Sequence, residues 1–220
     1  MVRIKVREII NLFDEKQDGL RGHISSIINL VGEDLGTVLF KRYYEETFGK
    51  KVIISPNSPL SGTKKGPRLD RWIYAEQPRN KYVAFQTEIK NWSAYAIGAH
   101  QIINNNYLHA GKLNYKDRFK YLSAKEKNGE NKVFYSMNDP KDLPFKAKKE
   151  PLIIYWLALS RDGKNPDPFF SINLSRGDFK KLNIFSISNY LRSIKAKELN
   201  FDMPNAQKRI NLLKKYFLVN

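Results

Sequence analysis

The run PLIIYWLALS, residues 151–160, constrains the fold more than any other stretch of this chain. It is the most apolar segment, and it does not alternate between apolar and polar residues. A strand with one face in water alternates with period two, whereas a continuous apolar strand must be covered on both faces. A strand of that kind belongs inside a sheet with elements packed above and below it. The chain is long enough for one such domain: it has 220 residues, of which 41% are hydrophobic and 13% aromatic.

The rest of the pattern fits around that strand. Residues 24–48 carry Leu35, Val38, Leu39 and Tyr43 at helical spacing, with a break expected at Gly32 and a stop at Gly49. KVIIS (51–55) is a short strand, and PNSPLSGTKKGP (56–67) is turn-rich. RLDRWIYAE (68–76) and KYVAFQTEIKNW (81–92) are strands joined by the turn QPRN. Ser93 is placed to cap a helix over 94–105, which would cross over to the strand at 151–160. KVFYSM (132–137) is a further short strand in an otherwise lysine-rich stretch, 106–150. PFFSINLS (168–175) is another strand, and helices are expected over 183–199 and 205–219. The whole reads as a single α/β domain with a mixed central sheet, a core over about 24–175, a basic insertion at 106–150 and C-terminal helices.

Charge narrows the function. The chain has 39 Lys and Arg against 22 Asp and Glu, a net charge of +17. Residues 1–50 hold 8 basic and 8 acidic residues, so the whole excess lies in 51–220. Such a field attracts polyanions, nucleic acid above all. There is no cysteine, which excludes disulfides, Cys-ligated zinc and a thiol nucleophile. The N-terminal segment has basic residues throughout and no long apolar run, and no later segment is long enough to span a bilayer, so a soluble cytoplasmic protein is expected.

Against this basic background, residues 51–100 retain only three acids: Asp70, Glu76 and Glu88. A hairpin turn centred on residue 79 sets residues equidistant from it opposite one another. Asp70 and Glu88 are then cross-strand partners, with Cβ atoms about 5 Å apart on one face. Lys90 shares that face, as does Gln86, because strand side chains alternate. Facing carboxylates repel unless a cation lies between them. Either a divalent metal or an ion network with Lys90 on a solvated sheet face answers that repulsion. A carboxylate two before a lysine recurs elsewhere, as at Asp14–Lys16 and Asp162–Lys164, but only Glu88–Lys90 lies inside an apolar strand beside an acid-bearing one.

Asp70 together with Glu88-Ile89-Lys90 resembles the motif of the PD-(D/E)XK nuclease superfamily. Glu33, ahead of the Leu35–Val38–Leu39 stripe, is similar to the further acid that this family often carries on the preceding helix; Glu45 and Glu46 are weaker counterparts. Residue 69 is Leu where the family name implies proline, and the Gln-x-x-x-Tyr pattern of the RecB-like branch is absent, Gln101 and Tyr107 being six apart. The resemblance covers roughly residues 24–160. It implies a restriction-endonuclease-like mixed sheet flanked by helices, and a metal-dependent DNA endonuclease, restriction-type or a related defence enzyme, acting in the cytoplasm.

In that reading Asp70, Glu88 and Lys90 are catalytic. Mg²⁺ or Mn²⁺ is held by Asp70, Glu88 and the Ile89 carbonyl, with Glu33 as a further ligand. Gln86 is an accessory residue at water or phosphate. Lys64, Lys65, Arg68 and Arg71 are expected to contact DNA, and a homodimer is expected, since cutting both strands takes two sites. The alternatives are a non-catalytic DNA-binding module of the same fold and a structure-selective nuclease acting on junctions or nicks.

Overall fold

The computed structural model describes residues 1–14, 21–55, 69–90, 132–138, 147–156, 159–161 and 166–217. In chain order the elements are β1 (Val2–Lys5), α1 (Val6–Asp14), α2 (Arg21–Phe48), β2 (Val52–Ile54), β3 (Arg71–Gln77), β4 (Lys81–Lys90), β5 (Lys148–Tyr155), β6 (Phe169–Asn173), β7 (Lys181–Ser186), α3 (Ile187–Ser193), β8 (Glu198–Phe201) and α4 (Pro204–Phe217). Six strands form one mixed sheet in the order β2-β3-β4-β5-β7-β6, and β1 pairs with β8 in a separate two-stranded sheet. The fold is therefore mixed α/β, and no helix among the described residues is long and apolar enough to cross a membrane.

β5 lies inside the sheet, parallel to β4 on one side and to β7 on the other. Its continuous apolar run is explained by alternation between two cores. Leu152, Ile154 and Trp156 pack on the face covered by α2 and α3. Ile153 and Tyr155 pack on the opposite face with Trp72, Tyr74, Val133 and Phe134. The parallel pairing of β4 and β5 requires a crossover between them; the helix expected over 94–105 lies outside the described residues.

α2 lies on the first face because Leu35, Leu39, Phe40 and Tyr44 form one buried stripe. Phe40 meets Phe85 edge-on at 5.6 Å and Phe185 at 5.3 Å between ring centroids. The break expected at Gly32 does not occur. A helical glycine is unfavourable by only about 1 kcal/mol, which the packed face of a 28-residue helix outweighs. Gly49 does end the helix, with φ +60 and its N–H donating to the Glu45 carbonyl at 3.0 Å.

Two further expectations are corrected. Residues 183–199 are not one helix but the end of β7, then α3 and the start of β8. Leu182 and Ile184 pack into one core and Phe185 into the other, a strand-like alternation, and the Ser186 hydroxyl then caps α3 by accepting from the Asn189 amide. Residues 132–134 form a 3-10 turn rather than a strand. The C-terminal helix is present as α4, tied to α2 by Arg209 Nη1 donating to the Leu30 carbonyl at 2.7 Å.

Candidate active site

The β3–β4 hairpin has the register inferred from its turn. Pairs run from Gln77↔Lys81 at the turn to Arg71↔Thr87, all equidistant from residue 79. Arg79 itself takes a left-handed conformation, φ 63, at the turn. One step beyond the last pair, Asp70 stands at the level of Glu88. Its amide donates to the Thr87 carbonyl at 3.1 Å, and its carboxylate Oδ2 accepts from the Ile89 amide at 2.7 Å. The side chain thus continues the ladder where the β3 backbone leaves it. The N–H and C=O of one residue in an extended strand face the same side, so the Ile89 carbonyl also faces the Asp70 edge.

Glu88 and Lys90 project to the other side of β4 from Ile89 and are joined by an ion pair at 2.8 Å; their side chains are 7% and 9% exposed. This is no solvated face. The second Glu88 oxygen, Oε2, is buried, and its ammonium partner at 2.5 Å is Lys132, from the 3-10 turn. Burial, then the Asp70 charge, raises the Glu88 pKa above the usual carboxylate value, and Lys90 and Lys132 offset this only in part.

Glu33 approaches from α2. It is half-buried, and its pKa is also raised, first by desolvation and then by Asp70, with Arg71 and Arg209 acting in the opposite sense. Asp70 is therefore electrostatically coupled to Glu33 on the helix and to Glu88 on the neighbouring strand. Gly36, nearly one turn after Glu33, lets the helix come this close. A Cβ there would lie 3.2 Å from Ile187 Cδ1 and 3.5 Å from Ile89 Cγ2.

Two assignments made from the sequence change. Arg71, expected at the DNA surface, is 7% exposed. Its Nη2 pairs with Asp34 Oδ1 at 2.7 Å and its Nη1 donates to the Asp70 carbonyl at 2.8 Å. Odd positions of β3 face α2, so an arginine directly after Asp70 meets the acid following Glu33. Gln86, expected at water or phosphate, is fully buried. Its Nε2 donates to the Val133 and Tyr135 carbonyls at 2.6 and 2.8 Å, and its Oε1 accepts from the Met137 amide at 3.1 Å. The amide anchors a chain segment instead.

Glu45 and Glu46 lie away from Asp70. Glu45 accepts from the Val52 amide at 3.0 Å, and Glu46 binds Arg42 at 2.7 Å and the Tyr190 hydroxyl at 3.0 Å. Lys64, Lys65 and Arg68 lie outside the described residues. Sequence reasoning missed Lys132 as a site residue. It stood in a lysine-rich stretch, and only the buried Val133-Phe134 pair beside it marks it as anchored.

Among the described residues no three acidic or histidine side chains form a ready metal-binding group. The donor set present is two carboxylates, Asp70 and Glu88, beside the Ile89 carbonyl, all hard oxygen donors of the kind Mg²⁺ and Mn²⁺ take. One Asp70 oxygen is held by the Ile89 amide, and the Glu88 oxygens face the Lys90 and Lys132 ammoniums. The donor type suits a hard divalent cation, and binding one at Glu88 requires that a lysine give way. Comparison of the chain with protein-family models, with curated proteins and with solved structures finds no match.

Proposed function

We propose that this chain is a metal-dependent DNA endonuclease of restriction-endonuclease-like fold. The observation that carries the reading is the hairpin register, which sets Asp70 level with Glu88 and buries Glu88 with Lys90 at the end of β4. The mixed sheet is consistent with it: an antiparallel β2-β3-β4 set, then a parallel step to β5, with a helix packed ahead of the acids. The +17 charge supplies affinity for phosphate backbones.

In this reading Asp70, Glu88 and the Ile89 carbonyl hold Mg²⁺ or Mn²⁺, with Glu33 behind Asp70 as a further acid. The cation, when bound, polarises a phosphate oxygen and acidifies water. Lys90 is held by Glu88 in a site shielded from solvent, where its charge acts on phosphate with little screening. Asp70 is oriented through the Ile89 amide, which keeps one carboxylate oxygen fixed at the end of β3. The Asp34–Arg71 pair braces helix to strand and so sets the spacing of Glu33 from Asp70.

The test is plasmid cleavage in Mg²⁺ by wild type and Lys90→Ala, with a chelator control. Discrete fragments from wild type alone support a sequence-specific, restriction-type enzyme that uses this site on duplex DNA. Preference for branched or nicked DNA moves it to a structure-selective nuclease. One observation favours the non-catalytic DNA-binding reading: both Glu88 oxygens are already met by lysines. Salt-sensitive DNA binding without cleavage, unchanged in Glu88→Ala, would overturn the enzyme assignment.

A further inference from the structure

Lys132 belongs to a segment that the fold holds down from several directions. Gln86 grips the carbonyls of Val133 and Tyr135 and the amide of Met137. The Phe134 carbonyl accepts from the Asp178 amide at 2.9 Å, and Asp178 Oδ2 accepts from the Ser136 amide at 2.8 Å. Lys149 donates to the Met137 carbonyl at 2.9 Å. Val133 and Phe134 are 0% and 2% exposed. A buried glutamine that uses its whole amide on one backbone segment fixes where that segment's first side chain emerges, and that side chain is Lys132. Its ammonium reaches Glu88 Oε2, the buried oxygen that Lys90 does not hold.

Around Glu88 itself the charges balance in this state, with Glu33 a further acid coupled to Asp70. Asp70 and Glu88 supply two negative charges, and Lys90 and Lys132 two positive ones. A divalent cation between the carboxylates adds two more, in a site where solvent screens poorly. Withdrawal of one ammonium relieves that excess. Lys90 is two residues from Glu88 on the same strand, with a side chain 9% exposed. Lys132 is 21% exposed and reaches in from outside the strand. With its backbone held, only the flexible lysine stem has to move.

We propose that Lys132 is a built-in counter-ion of the candidate metal position: it holds the Glu88 Oε2 side in the metal-free protein and must be displaced for a divalent cation to bind. The inference rests on the reading of Asp70 and Glu88 as metal ligands, and it sets how much cation the protein needs before the site is loaded.

The experiment is calorimetric titration of the full chain with Mn²⁺ alone, without DNA, for wild type, Lys132→Met, Lys132→Arg and Glu88→Gln. Removing the competing charge is expected to tighten Mn²⁺ binding about tenfold in Lys132→Met, with Lys132→Arg no tighter than wild type and Glu88→Gln losing binding. Equal or weaker binding by a folded Lys132→Met, alongside wild-type binding that depends on Glu88, overturns the counter-ion role and leaves the metal site standing. Absence of Mn²⁺ binding in both wild type and Lys132→Met overturns the metal site, and this inference with it. Melting curves check the fold, and Lys132→Gln, which keeps a hydrogen-bond donor, replaces the Met variant if that one does not fold.

Discussion

Asp70 Oδ2 accepts the main-chain amide of Ile89 at 2.7 Å, so the first acid of the site is tied to the backbone between Glu88 and Lys90. That single bond couples position and charge: moving Asp70 moves the strand that carries the other two groups. It also separates two effects that substitution usually mixes. Asp70→Asn retains an oxygen to accept from Ile89 but removes the negative charge, whereas Asp70→Ala removes both. The expected outcome for Asp70→Asn is a nearly unchanged melting temperature with Mg²⁺-dependent DNA cleavage reduced by about a hundredfold or more. Asp70→Ala is expected to lose about 1–3 kcal/mol of stability in addition, because the Ile89 amide is left without its partner. Wild-type cleavage by a folded Asp70→Asn would exclude Asp70 from the chemistry.

Glu88 makes the site sensitive to pH, and the sign follows from its environment. Burial and Asp70 raise its folded-state pKa above the ordinary 4.5. The folded protein then holds the Glu88 proton more tightly than the unfolded chain. Stability falls as pH rises from that ordinary value through the raised one, and is level beyond it. Glu88→Gln has no proton to release there. In urea unfolding across this window, wild type should lose stability relative to Glu88→Gln as the pH increases. A difference that is flat, or that grows in the other direction, would mean that Lys90 and Lys132 outweigh the burial of the carboxylate.

The hairpin was legible because two strands joined by a short turn have few registers, and moving by one residue would turn Asp70 away from Glu88. β5 was legible for a related reason: a run such as LIIYW between polar flanks has nowhere to go but the middle of a sheet. The misreadings have a common physical origin. Residues 183–199 carry apolar residues at spacings that suit a helix or a strand, and the choice is made by β5 and β6 on either side of β7. β8 exists only because β1, nearly two hundred residues earlier, pairs with it from Val2↔Phe201 to Lys5↔Glu198. Arg71 is expected at the DNA surface from its residue type, and Gln86 at water or phosphate from the strand face it shares with Glu88. The sheet buries both, and each has become a brace.

Arg71 and Asp34 are the brace between α2 and β3, with side chains each 9% exposed. Removing one partner of such a pair leaves a buried charge without compensation, which typically destabilises by about 3–5 kcal/mol. Arg71→Met and Asp34→Leu are each expected to fall in that range in denaturant titrations. The double variant should be less destabilised than the sum of the two, because neither charge is then stranded. Strict additivity would show that the two residues act independently despite their 2.7 Å contact.

Gly177 tests the delivery of Lys132 without touching the site. It has φ +91, a backbone conformation that L side chains rarely adopt, and a Cβ at this position would lie 2.3 Å from the Phe134 carbonyl oxygen and 2.8 Å from Phe134 Cβ. The clash is with backbone, so it is not relieved by a rotamer change, and either the exposed stretch around Gly177 or the segment that Gln86 holds has to shift. Strain and overpacking together should lower stability by about 2–4 kcal/mol in Gly177→Ala. Where the shift carries residues 132–134 with it, it alters the reach of Lys132 to Glu88 while leaving every charge in the chain. Gly177→Ala should therefore resemble Lys132→Met in Mn²⁺ titrations, binding more tightly than wild type, even though it is the less stable protein. Loss of stability with Mn²⁺ affinity unchanged would show that the strain is taken up around Gly177 and does not reach Lys132.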